Sequence, residues 1–224
     1  MRRTRMLQAL LEEFPVSAAI TLQHDGHAER LDGFFSSPQL HDAVQTRGLL
    51  SRAFASYLAT LGIAPLQPLR AIEGAIARCR NDHPSGPPAP GMVSLAPTHD
   101  ILTLPMGSLE RYVSYSGLLI HSDSGARDAN LEVMLSDGFT LPNALVPLPS
   151  THEYILVEPS DQGPRLGEVS AALGDLLEAT KAGIALPELV RVAISLGAEA
   201  EEAGELIDEL SAEGLLIHGA LRTP

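Results

Sequence analysis

Tryptophan is absent from this 224-residue chain, cysteine occurs once, and aromatic residues make up only 4% of it. A single cysteine, Cys79, excludes an intrachain disulfide and any zinc site built on several thiolates. A reducing, cytoplasmic-type setting fits that usage. With so few aromatics, Leu, Ala, Val and Ile must do most of the packing. No apolar run approaches the roughly 18 residues of a membrane span. The opening MRRTRMLQALLEEF places basic residues before an apolar stretch. Glu12 and Glu13 interrupt that stretch and no small-residue cleavage site follows, so it does not read as a signal peptide. Also missing are a Gly-x-Ser-x-Gly elbow, a Gly-rich phosphate loop and a dinucleotide fingerprint.

What the chain does have is acid. Its formal net charge is −13. Residues 153–224 carry 14 Asp and Glu against only Arg165, Lys181, Arg191 and Arg222. Such a field repels phosphate backbones and anionic lipid, and favours a partner with a basic face.

Hydrophobic spacing predicts a first helix over residues 5–14, with Leu7, Leu10, Leu11 and Phe14 on one face and Pro15 as its end. Residues 20–22 are short and ambiguous, and His24-Asp25-Gly26 reads as a turn. Ser37-Pro38 is a helix start, with Ser as the cap and Pro at the first helical position. The stripe that follows runs to Gly62, and Gly48 either bends or splits it. Another helix begins near Pro68 with Leu69, Ile72, Ile76 and Cys79 on one side. The segment NDHPSGPPAP is rich in proline and reads as a linker.

Beyond it, residues 92–95 and 99–104 read as extended segments, Ser108 as the cap of a helix through Leu109, Tyr112 and Val113, and residues 121–150 as irregular. Residues 154–157 read as a strand closed by Pro159. Three helices are predicted over residues 168–182, 187–196 and 199–213, stopped by Gly183, Gly197 and Gly214, and then a short strand over 215–217. The expected fold class is therefore α+β and mainly α. It comprises a helical domain over 1–82, a Pro-rich linker over 83–90 and a winged-helix-like domain over 91–224 with a small β-sheet.

A winged helix suggests DNA binding, and a winged-helix transcription regulator is the rival reading. Its third helix would enter a groove. That helix carries Glu199, Glu201, Glu202, Glu205, Asp208, Glu209 and Glu213, with no Lys or Arg among them. Seven like charges facing a phosphate array argue against that use of the fold.

The histidines, His24, His27, His41, His83, His99, His121, His152 and His218, are scattered. His24, Asp25 and His27 form a weak metal corner at best, without a second cluster. His99 and Asp100 are adjacent on a strand and point to opposite faces, so they do not make an acid-base pair. Ser114, Ser116, Ser122 and Ser124 lie outside any nucleophile elbow, and Asp123-Ser124-Gly125 is a turn signature. Cys79 lies on an apolar stripe and reads as a small buried hydrophobe. In the helix over 69–80, Arg70 and Glu73 are three apart and suited to pairing across a turn.

Four stretches, in order, carry a resemblance: FASYLATLG (54–62), LRAIEGAIARCR (69–80), LTLPMGSLERYVSY (102–115) and HEYILVEP (152–159) running into the three-helix tail. Together they resemble the partner proteins of multinuclear non-haem iron oxidative enzymes in the biosynthesis of ribosomally made, post-translationally modified peptides, of the methanobactin and thiaglutamate type. The resemblance covers most of the chain and rests on pattern; residues 15–36 and 121–150 lie outside it.

It implies a non-catalytic subunit that binds the leader segment of a precursor peptide and presents it to an iron-dependent oxidase modifying cysteine. No cofactor or metal is then expected in this chain, the iron belonging to the partner enzyme. The leader would add as a strand to a sheet edge beside a helix, as in a peptide recognition element. Under this resemblance the peptide-binding candidates are Ile101, Leu102, Thr103, Leu104, Tyr154, Ile155, Leu156 and Val157 on strands, with Glu202, Glu205 and Glu209 on the helix beside them. Arg70, Glu73 and Arg78 become candidates for docking the enzyme.

Overall fold

Pro15 does not simply end the first helix; it also begins the next. In a computed structural model of the chain, which describes residues 2–81, 88–120 and 140–219, α1 covers Arg2–Glu13 and α2 covers Pro15–Asp25. A proline at the start of a helix loses nothing, because its missing N–H would have had no intrahelical partner. The α2 helix has no amphipathic signal to read. Val16, Ser17, Ala18, Ala19, Ile20, Thr21 and Leu22 are all buried, as expected of a helix enclosed on every side. Gly26, at φ 75°, closes it in the left-handed region and donates its N–H to Leu22 O.

The chain separates into two compact units, one formed by residues 1–77 and 105–152, the other by residues 78–104 and 153–224. The segment 105–152 thus groups with the N-terminal helices, whereas the sequence placed it in the C-terminal domain. The expected linker lies outside the described residues over 83–87.

In the first unit a short α3 (Glu29–Asp32) and a 3-10 turn (Gly33–Ser36) lead to α4 (Pro38–Thr46) and α5 (Leu50–Ala59). The stripe running to Gly62 is therefore split, and the break comes at Arg47, which takes the left-handed conformation at φ 54°, just before Gly48. Ser37 caps α4 by accepting from Leu40 N, as its position before proline predicts. Helix α6 covers Leu66–Asn81 and α7 covers Ser108–Ile120. The mainly aliphatic core holds an aromatic cluster: Phe14, Phe34 and Phe54 are wholly buried. Phe54 meets Phe14 edge-on at 5.5 Å and Phe34 at 5.1 Å, the arrangement that ring quadrupoles favour.

The second unit holds two antiparallel sheets. One has the order β2-β3-β4, from Asp100–Pro105, His152–Glu158 and Arg165–Val169. The other has the order β5-β1-β6, from Ile184–Ala185, Met92–Leu95 and Leu216–His218. Three helices accompany them: α8 (Ala171–Thr180), α9 (Leu186–Ser195) and α10 (Glu202–Ala212). One aliphatic core joins both sheets and these helices through Val93, Ile101, Leu156, Leu177, Leu189 and Ile207, among others.

The helix predicted from residue 168 begins later. Glu168 and Val169 complete β4, and Ser170 accepts from Leu173 N to cap α8. The chain is thus mixed α+β and mainly helical, with small antiparallel sheets. Among the described residues no helix is long and apolar enough to cross a membrane.

Candidate functional site

The strand residues named as peptide-binding candidates are mostly core. Ile101, Leu102 and Leu104 are buried on β2, and only Thr103 is exposed. Ile155, Leu156 and Val157 are buried on β3. Strand β3 lies between β2 and β4, so its main chain is paired on both sides and offers no edge to a peptide. Tyr154 is occupied as well. Its ring lies so close to α8 that a Cβ on Gly174 would stand 2.2 Å from Tyr154 Cγ. Its hydroxyl donates to Asp175 Oδ1 at 2.5 Å; this bond, first among the causes, raises the phenol pKa. These four residues anchor a sheet and a helix instead of presenting a binding surface.

The three acidic candidates have a different setting. Glu202, Glu205 and Glu209 are exposed on α10, while Ala203, Ile207 and Leu210 turn its other face into the core. This is the division of faces that a 3.6-residue period produces. The α10 helix packs on β6, which belongs to the other sheet, so the fold does not bring the acidic helix and the β2-β3 pair together as one groove.

Strand β6 is the edge beside that helix. Its register opposite β1 pairs Val93 with His218, Ser94 with Ile217 and Leu95 with Leu216. Ala96 N donates to Leu215 O and Gly219 N to Met92 O, both at 2.8 Å. Antiparallel pairs alternate, so Ile217 bonds to β1 while Leu216 and His218 turn their N–H and C=O groups outward. Among the described residues no strand lies against that outer side. His218 Nε2 lies 2.8 Å from Ser211 Oγ, which itself donates to Ile207 O, so the strand is tied to α10 next to its acidic face. The sequence marked 215–217 as a strand, yet nothing in a three-residue run tells which edge it occupies.

The docking candidates are also redistributed. Glu73 is 1% exposed and cannot meet a partner. Its Oε1 accepts from Val16 N at 2.7 Å and its Oε2 from Ser17 N at 3.0 Å. Arg70 donates to Gln67 Oε1 and Ala55 O. Arg78 is engaged with Asp100, Nε reaching Oδ2 at 3.1 Å, and Lys181 Nζ approaches Asp100 Oδ1 at 3.8 Å. Glu73 is thus withdrawn from any docking face, while Arg70 and Arg78 are half-buried and already engaged with their neighbours.

Around Asp100 a cleft of about 220 Å³ is lined by Arg78, Cys79, His99 and Lys181, among others. Its chemistry is quiet. Cys79 donates its thiol to Thr98 O at 2.9 Å, and burial pushes its pKa up, so it is held as the weakly nucleophilic thiol. Burial also lowers the pKa of His99, against the pull of Glu158. Elsewhere, His24 Nδ1 contacts Asp25 Oδ1 at 2.7 Å and Arg30 Nε reaches Asp25 Oδ2 at 3.1 Å. This pair lies at the end of α2, not in a free turn. Among the described residues no group of three or more His, Cys, Asp or Glu is placed to hold a metal ion. The expectations for His83, His121 and residues 122–125 fall outside the described residues. No protein-family model matches this chain, and no curated protein matches it.

Proposed function

We propose that the protein is a non-catalytic partner subunit that captures an extended, basic peptide segment along the outer edge of β6, beside the acidic face of α10. The observation that carries this reading is the pairing of an open strand edge with exposed carboxylates. Main-chain hydrogen bonds to Leu216 and His218 would supply affinity, and Glu202, Glu205 and Glu209 would select for basic side chains.

The order α8, β5, α9, α10, β6, completed by β1 as the middle strand, supports a winged-helix-like module of the peptide-recognition kind. Here β1 comes from the N-terminal side of the helices. The same carboxylates oppose a duplex-binding role, because a groove-entering helix must neutralise phosphates.

Together with the resemblance of residues 54–62, 69–80, 102–115 and 152–159, this leads to the fuller reading. The bound segment is the leader of a ribosomally made precursor peptide. The subunit presents it to a multinuclear non-haem iron oxidase that modifies cysteine, in the cytoplasm. The oxidase supplies the iron; this chain supplies the hold on the substrate.

Co-expression with an iron oxidase and a cysteine-containing precursor encoded beside it tests the reading. A stable complex on size exclusion is the expected result, with precursor retained by this chain in the absence of the oxidase. A chain that elutes alone from both overturns it.

A further inference from the structure

The N-terminus of α2 poses a problem that the chain solves from far away. Phe14, at the capping position, provides no side-chain acceptor, yet the N–H groups of Val16 and Ser17 are buried where water does not reach them. Unpaired donors there would destabilise the fold, because nothing replaces the water they lose. Glu73, on α6, supplies both acceptors across 57 and 56 residues of sequence.

The same carboxyl has a second neighbour. Ser17 Oγ is fully buried and among the described residues has no hydrogen-bond partner, yet it lies near enough to Glu73 for its hydroxyl to act on the carboxyl. Among the described residues no cation is bonded to the carboxyl, whose hydrogen-bond partners are the Val16 and Ser17 N–H groups. Its influences are burial, the Ser17 hydroxyl and the Val16 and Ser17 N–H groups. The ionisable residues on elements packed against α2, Arg3, Arg5, Glu12 and Glu13 on α1, Glu29, Arg30 and Asp32 on α3, Glu110 and Arg111 on α7, do not act on it, nor does Arg70 on α6 itself. A buried carboxylate without a cation is costly unless it takes up a proton.

We propose that Glu73 is a proton-dependent latch between α6 and α2: as the neutral acid it donates to Ser17 Oγ while accepting from the two N–H groups, and loss of that proton loosens the start of α2. Burial raises the Glu73 pKa to about 8, which places the release just above neutrality. The folded chain then holds this proton more tightly than the unfolded chain. The stabilisation is complete below the unfolded carboxyl pKa, declines as pH rises, and is gone once pH passes the folded pKa.

The test compares the full-length wild type with E73Q, whose amide can donate to Ser17 Oγ and accept from an N–H without titrating. Denaturant unfolding from about pH 4 to about pH 9.5 should show the wild-type folding constant falling about tenfold per pH unit relative to E73Q, once the unfolded carboxyl ionises and until the folded pKa is passed. At about pH 4, where the carboxyl is neutral in both states, the two should agree within a few fold, and by about pH 6 E73Q should already be the more stable by roughly fiftyfold, because the unfolded wild type is then ionised. A ratio that stays flat, or an E73Q chain far less stable than wild type at the acid end, overturns the proposal, since either means an ionised Glu73. Should E73Q fail to fold, the carboxyl carbon shift of glutamate-labelled wild type decides alone. A protonated signal at the acid end that titrates near the folded pKa supports the latch, and an ionised signal throughout sinks it.

Discussion

The two units solve the problem of polar groups in opposite ways. The first unit takes them inside: Ser17, Thr21 and Glu73 are buried there around an aromatic cluster of Phe14, Phe34 and Phe54. The second unit has an aliphatic core with no phenylalanine in it and, apart from the buried Glu153 and the ion-paired Asp100, keeps most of its carboxylates outside, on α10 and on the rim near Asp175 and Glu178. Inward polar groups fix one arrangement of helices, because each must be satisfied or the packing fails. Outward ones cost little in stability and remain available to a partner. The contrast places much of the first unit's stability in its interior, while the proposed function leaves recognition to the second unit's surface.

The largest effect that could break this contrast lies in the aromatic cluster. Phe54→Ala should lower stability by about 3–5 kcal/mol, measured by denaturant unfolding, because its ring contacts both Phe14 and Phe34. A loss below 1 kcal/mol, read against that range, would mean that the cluster does not carry the first unit. Next comes Gly174→Ala. The added Cβ would stand 2.2 Å from the Tyr154 ring, so α8 or the ring must shift, at a cost of about 1–3 kcal/mol. Thermal unfolding reads this, and an unchanged Tm would show that α8 is not seated on β3.

The surface should respond differently. Changing Glu202, Glu205 and Glu209 together to Lys should leave unfolding nearly unchanged, since exposed charges contribute little. It should weaken binding of a basic precursor segment about tenfold or more at low salt, with a smaller effect at high salt. Fluorescence anisotropy across a salt series checks this. Equal loss at all salt concentrations would point to a packing change instead.

The smallest effect belongs to His99. Its folded pKa is lowered by burial, so its contribution is present above the unfolded pKa and lost as pH falls through the folded one. His99→Gln should therefore flatten part of the stability loss seen on acidification below about pH 6.5. It should do nothing at the alkaline end, where the imidazole is neutral in both states.

Much of this architecture can be read from residues alone. Ser37-Pro38 announces α4, and the glycines at 183, 197 and 214 mark the ends of helices in the second unit because each takes a positive φ there. Helix α2 escapes because a helix buried on all sides has no polar face to set a period. Strand β4 escapes because RLGEV runs into Ser170 without a turn signal, so its last two residues look like the first turn of α8. The candidate surface is legible only in part. Spacing puts Glu202, Glu205 and Glu209 on the outer side of a helix. Strand order, which decides that β3 is central and β6 is an edge, depends on contacts between distant segments. The partner of Glu73 is hidden for the same reason: the nearest charged residue along the chain is Arg70, yet its bonds go to residues more than fifty positions away.

The middle strand of the β5-β1-β6 sheet has a consequence for how the chain is made. Val93 pairs with Ile184 on one side and His218 on the other, so β1 leaves the ribosome long before either neighbour exists. At synthesis rates of about 5–20 residues per second, it waits roughly 6–25 seconds for β6. Until β5 is made this four-residue strand has both flanks open, and the flank that receives β6 stays open throughout the interval. The nascent chain must keep it apart from other nascent strands until its own tail arrives.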